Sequence, residues 1–187
     1  MQEISLSNVE KKIPKLLNNI FLIGSFLLPS AFTLGAGTLL ICVLYGVYIG
    51  KGYLKNKLNI IFLVAGILLI ISAFIHSNFN NDLSNYKLNH SLSWIGLANW
   101  IPFFLCFWGF QPFLNSKTKR RRTAFALLAG TLPVIVTGIG QSFFNWHGPM
   151  EALNGLIIWY QRPIEGITGI TGLFNNPNYT GLWLNLI

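Results

Sequence analysis

The chain is built as a series of apolar runs, each about as long as a bilayer is thick, separated by short polar or basic connectors. A helix rises about 1.5 Å per residue, so crossing ~30 Å of hydrocarbon takes roughly 17–25 mostly apolar residues. Five runs have this length: 16–32, 33–50, 58–75, 94–113 and 123–140. A sixth, 171–187, is still apolar where the sequence stops at Ile187. In lipid the backbone must satisfy its own hydrogen bonds, which leaves helices as the form for such runs. The predicted fold class is therefore all-α: a polytopic integral membrane protein with about six transmembrane helices, preceded by a basic cytoplasmic tail over 1–15.

Charge agrees with this reading. Only 10% of the 187 residues are charged and the mean hydropathy is +0.53, whereas soluble domains carry about 25% charged residues. The net charge of +8 does not point to nucleic acid, because the cations fall in short blocks between apolar runs, as orientation signals of membrane proteins do. Cys42 and Cys106 both sit inside apolar runs, where a thiol behaves as a small hydrophobe. The first run follows a lysine-bearing tail and leads straight into the second, as an uncleaved span does.

The segment 16–50 can be read as two short spans or one long kinked span. With two spans, a tight turn near Pro29-Ser30 and an inner N-terminus, the inner segments hold Lys11, Lys12, Lys15, Lys51, Lys55, Lys57, Lys117, Lys119, Arg120, Arg121 and Arg122, eleven of the 13 cations. One span leaves at best eight of 13 inside. The positive-inside rule selects two spans. The block 117–122 then reads as an inner loop that contacts anionic membrane lipids, and Gly46-Val47-Tyr48-Ile49-Gly50 matches a small-xxx-small helix contact.

Two connectors fall outside. Residues 76–93 are rich in Asn and Ser and read as a solvated loop. Residues 141–170 hold Gly148-Pro149-Met150-Glu151, which resembles a helix start with Pro in the first turn. With Trp146, Trp159 and Tyr160 nearby, a short helix lying on the outer surface is expected there. At its end stands Arg162, one of two cations on the outer side. Its fork of N–H donors suits a phosphate or diphosphate; it equally suits a lipid headgroup, or Glu165 three residues on. Glu165 reads as an acid, a base, that partner, or a solvated carboxylate. His76, His90 and His147 lack neighbours at ligand spacing, so neither a metal nor another cofactor is implied. Asn175, Asn176 and Asn178 surround Pro177 at the mouth of the last run. Amides there either meet a polar ligand or cap a helix.

The segment Arg162-Pro163-Ile164-Glu165-Gly166-Ile167-Thr168-Gly169-Ile170-Thr171-Gly172-Leu173-Phe174-Asn175-Asn176-Pro177-Asn178 resembles the Arg … Gly-x-Phe-x-Asn-Pro-Asn stretch of the O-antigen ligase and polymerase superfamily. The resemblance implies a bacterial inner-membrane glycosyltransferase that moves a glycan from an undecaprenyl diphosphate carrier to an acceptor, lipid A-core or another glycan, on the outer face. It implies no metal. Arg162 takes the place of the motif's arginine, which stabilises the departing diphosphate, and Asn176, Asn178 and Glu165 become candidate substrate contacts. Members of that family have about twice as many spans and a later outer loop with a base histidine and a further arginine. The expectation is thus of the N-terminal part of a longer chain, inactive if it ended at Ile187.

Other classes fit the same features. An outward arginine beside a polar span mouth suits capture of bicarbonate or another small anion for transport, and a non-catalytic membrane subunit needs no site at all. The topology itself is open to test. An impermeant thiol reagent added outside intact cells is expected to label a cysteine placed at 162 and to miss one placed at 119; the opposite pattern inverts the topology.

Overall fold

The computed structural model describes residues 13–50, 56–79, 91–162 and 169–187. Most of the N-terminal tail, most of the Asn-rich connector and the whole of Glu165 lie outside the described residues. The described chain is mostly helical: α1 Lys15–Leu27, α2 Phe32–Ile49, α3 Lys57–Phe79, α4 Ser91–Phe110, a 3-10 turn Gln111–Phe113, α5 Lys117–Phe144, strands β1 Met150–Ala152 and β2 Ile157–Trp159, and α6 Pro177–Leu186. Among these, the segments Phe32–Ile49, Lys57–Ser77 and Lys117–Phe144 are long and apolar enough to cross a membrane. Their outward faces carry large apolar side chains such as Leu44, Ile61, Leu68, Leu132 and Ile139, all exposed. Apolar surface on that scale is suited to lipid rather than water.

The chain divides into two compact units, one of residues 1–42 with 113–187, the other of 43–112. In the first, the expected tight turn separates α1 from α2. Ser30 N and Ala31 N both donate to Leu27 O, at 3.1 and 2.7 Å. The two helices run antiparallel, since Gly24 meets Thr38 and Leu39 while Cys42 Sγ reaches Leu17 O. Gly35 permits the turn: a Cβ there would stand 2.7 Å from the backbone of Leu28. α5 packs on α1 with equal intimacy, because a Cβ on Gly130 would lie 2.2 Å from Phe26 O. Phe113, fully buried, stacks on Phe21 at 4.9 Å between ring centres. Helices without apolar driving force between them gain stability from such close backbone approach.

The second unit repeats this logic. The Gly46 contact read from the sequence is present: a Cβ at Gly46 would lie 1.8 Å from Gly109 O, and one at Gly109 2.7 Å from Val43 O. Phe62 on α3 stacks on Phe104 and Phe107 of α4 at 5.4 and 4.6 Å. A small amide cluster closes one end, where Gln111 Nε2 donates to Asn59 Oδ1 at 2.7 Å and Asn56 Nδ2 to Gln111 Oε1 at 3.4 Å. Asn59 is buried, so its carbonyl oxygen needs the donor that Gln111 supplies.

Several boundaries, and one element, differ from the sequence expectation. The basic block is helical: α5 starts at Lys117, capped by Ser116, whose hydroxyl accepts from Lys119 N at 3.2 Å. Cations cost little helix propensity, so the good cap decides where the helix begins. The last helix starts at Pro177 rather than at 171, because Asn176 caps it and Pro177 occupies its first turn. The surface helix expected within 141–170 is replaced by an antiparallel hairpin pairing Met150 with Trp159 and Ala152 with Ile157. Its turn explains the change. Leu156 N donates to Leu153 O, and the central pair Asn154-Gly155 takes φ of 53° and 82°. Asn-Gly is the strongest short hairpin signal, since both residues tolerate the left-handed region that the twist of the strands demands. The Pro149-Met150-Glu151 start signal loses to it.

Glycine substitutions separate close approach from mere presence. Gly130→Val is expected to lower the thermal stability of the purified protein by several degrees or to prevent folding, since overpacking against fixed backbone costs about 1–3 kcal/mol or more. Gly37→Ala, with nothing within 4 Å of its Cβ, is expected to be neutral or to stabilise by a few tenths of a kcal/mol up to ~1. A thermal unfolding assay of both variants decides.

Candidate functional site

The site region begins where α5 ends. Asn145 takes a left-handed cap at φ 51° and Trp146 N donates to Gly140 O at 3.2 Å. The Trp146 ring lies directly on Gly140, where a Cβ would stand 2.1 Å from it. The hairpin follows, and the indole of Trp159 donates to Ser30 O at 2.7 Å. This ties β2 to the α1–α2 turn. Tyr160 N then donates to Leu173 O at 3.1 Å and Gly148 N to Gln161 O at 2.7 Å, which brings the chain back across the end of α5 at Gln161 and Arg162.

One buried side chain organises what meets there. Gln141, 1% exposed in the last turns of α5, uses all four hydrogen-bonding positions of its amide. Its Nε2 donates to the carbonyl of Arg162 and to Thr171 Oγ1 at 3.0 Å. Its Oε1 accepts from Thr171 N and Gly172 N, each at 3.0 Å. Thr171 Oγ1, fully buried, also accepts from Arg162 N at 3.1 Å, and Thr180 of α6 donates its hydroxyl to Thr171 O. An unmet buried amide costs about 1–3 kcal/mol per group, so the Gln141 amide is stable here because each of its four positions is satisfied. Gly172 completes it. Its φ is +53°, and a Cβ there would press on Val134 O at 3.2 Å, so both conformation and space call for glycine.

Gln161 sits beside this network. It is fully buried, lies in the left-handed region at φ 32° and donates from Nε2 to Thr137 O at 3.0 Å. Its Oε1 has no partner among the described residues. Holding a non-glycine residue at that φ costs about 1–3 kcal/mol, which the surrounding contacts must offset.

The residues expected from the sequence fall as follows. Arg162 has a fixed backbone and an exposed side chain that takes no hydrogen bond or ion pair with any described residue. Asn176 is the helix cap, its Oδ1 accepting from Asn178 N at 2.8 Å, so the capping alternative holds for it. The side chains of Asn176 and Asn178 are exposed, and among the described residues no hydrogen bond joins either to Arg162. The link between Arg162 and α6 runs instead through Thr171 and Thr180. Glu165 lies outside the described residues. His147 is exposed, its Nδ1 3.0 Å from Asn145 O. No group of three or more metal-ligating side chains occurs among the described residues.

An apolar groove of about 500 Å³ runs between α5 and α6, lined among others by Val134, Gly138, Ser142, Ile170, Gly181 and Leu184. It lies next to the Gln141 network: Ser142 follows Gln141 in the chain and Ile170 precedes Thr171. Thr180, which lines the groove, is also the residue that bonds Thr171 O in the network holding the Arg162 backbone. Sequence reading named Arg162 but missed Gln141, Gln161, Thr171 and Thr180. The usable signal was a glutamine at the end of an apolar run, costly there unless protein groups take up its amide. Compared with protein-family models, curated proteins and solved structures, the chain matches none of them.

Removing the amide at its centre should open this region. Gln141→Leu leaves Thr171 N, Gly172 N and Arg162 O without partners, and a loss on the order of 2–5 kcal/mol is expected. Hydrogen exchange at amides 171 and 172 should accelerate sharply while α1 and the body of α5 stay protected. Unchanged protection at 171 and 172 contradicts the assigned network.

Proposed function

We propose that this chain belongs to a multi-pass membrane glycan transferase with about six spans in the present sequence and an inner N-terminus, acting at the outer face of a bacterial inner membrane. The donor is a glycan on an undecaprenyl diphosphate carrier, and the acceptor is lipid A-core or another glycan. The observation that carries the reading is an exposed Arg162 side chain with no partner among the described residues, on a backbone whose N–H and carbonyl are both engaged, in the same network as Thr180, which lines an apolar groove. Such an arrangement suits an amphiphile whose head is anionic and whose tail is hydrocarbon.

The chemistry is displacement at the anomeric carbon with inversion. An acceptor hydroxyl oxygen forms the new glycosidic bond and gives its proton to a general base, the histidine that the resemblance implies in a later outer loop of the full-length protein. The bond from the anomeric carbon to the diphosphate oxygen breaks, and the electron pair leaves on the diphosphate. Negative charge grows on that leaving group. A guanidinium presents parallel N–H donors to two phosphate oxygens, and donors fixed in advance stabilise developing charge without reorganising. Arg162 would act in this way. The exposed amides of Asn176 and Asn178, and Glu165, would meet polar parts of the same substrate. No role for a metal or other cofactor enters this scheme.

Arg162→Lys tests it, because lysine keeps the charge and loses the fork. In membranes holding the full-length protein and supplied with the undecaprenyl diphosphate-linked glycan, transfer by the variant is expected to fall on the order of tenfold to a hundredfold at equal amounts of inserted protein. Transfer at the wild-type rate removes Arg162 from the reaction. Normal anion uptake into vesicles with no glycan transfer would instead favour a transporter of bicarbonate or another small anion.

A further inference from the structure

We infer that Gln141 is a positioning residue for Arg162: its buried amide sets the backbone from which the guanidinium reaches an anionic lipid head. The inference rests on the reading of Arg162 as a diphosphate-binding residue. Arg162 is followed by Pro163, and the residue before a proline is already restricted to extended backbone. What remains is where that backbone is held. Both main-chain polar groups of Arg162 are taken: its carbonyl by Gln141 Nε2 and its N–H by Thr171 Oγ1 at 3.1 Å. Thr171 Oγ1 is in turn held by Gln141 Nε2 at 3.0 Å. Among the described residues, the two bonds to the main chain at 162 thus come from the Gln141 amide itself and from a hydroxyl that this amide holds.

The side chain, by contrast, is unconstrained by any described residue and exposed. This division is what a binding cation needs. An arginine spends rotamer entropy when it grips a ligand, and a fixed base reduces the further loss from ordering the backbone. Gln141 suits the task because an amide offers two donors and two acceptors without the desolvation cost of a buried charge. A carboxylate in its place would lose both donors, and a leucine would lose all four interactions. Thr171 is the second element of the same device. Valine matches its shape without the hydroxyl, and serine keeps the hydroxyl.

The test measures binding rather than turnover. The full chain in phosphatidylcholine nanodiscs is titrated with undecaprenyl diphosphate, and Kd is taken on the folded fraction for wild type, Arg162→Lys, Gln141→Leu, Thr171→Val and Thr171→Ser. Arg162→Lys, Gln141→Leu and Thr171→Val are each expected to weaken binding on the order of tenfold, and Thr171→Ser to stay within about twofold of wild type. The serine rescue marks the hydroxyl as the operative group, since a purely structural role lowers the folded fraction and leaves Kd unchanged. If Gln141→Leu does not fold, the Thr171 pair carries the test alone. Wild-type Kd in Gln141→Leu or Thr171→Val beside a weakened Arg162→Lys overturns the inference and leaves the diphosphate reading standing. Wild-type Kd in Arg162→Lys overturns both.

Discussion

An amide buried among hydrocarbon survives only if each of its donors and acceptors finds a partner, and Gln141 does so by capturing three backbone groups and one hydroxyl. The groups it captures belong to two stretches of chain, at Arg162 and at 171–172, neither of which has regular structure to satisfy it. Each side thus removes the other's desolvation cost. The rest of the irregular region hangs on this exchange. Thr180 attaches α6 through the carbonyl of Thr171, and Tyr160 and Leu173 extend the pairing by one more bond.

The polar contacts that hold the described interior are made by amides, hydroxyls and indoles: Gln141, Gln161, Thr171, Thr180, Trp159 and Trp183, the last donating to Thr131 Oγ1 at 3.0 Å. These groups suit a low-dielectric surround. A neutral hydrogen bond gains strength there, whereas a charge must be neutralised or paired at a cost of several kcal/mol. The cations instead gather at the start of α5, where Arg121 lies over the ring of Phe125 at 5.4 Å. Arg162 differs from that block in standing on a backbone whose N–H and carbonyl are both engaged, which is the basis for giving it a chemical role.

Several features were legible from residues alone because their causes are local. Apolar length marks helices. Asn176 before Pro177 reads as a cap from the two residues themselves, and the Gly46 spacing marks a helix contact wherever a partner backbone exists. The hairpin is legible too, through Asn154-Gly155, but it competes with the helix-start signal of Pro149-Met150-Glu151. Both signals are local, and cross-strand pairing between Met150–Ala152 and Ile157–Trp159 decided between them. The Asn-Pro-Asn stretch was singled out as the unusual polar element, but the buried links run through Thr171 and Thr180, whose hydroxyls look ordinary in sequence.

The sequence by itself determined the predominant element type. Long uncharged apolar runs tolerate only helices in lipid, and the placement of lysine and arginine sets an expected sidedness. Tertiary structure alone decided which glycines are essential, since Gly130, Gly109 and Gly46 differ from Gly37 only in what lies opposite them. It alone showed that Gln141 holds Arg162, from 21 residues away. Periodicity and composition report how a residue meets its surroundings on average; a hydrogen bond between distant segments depends on distances that only the packed chain supplies.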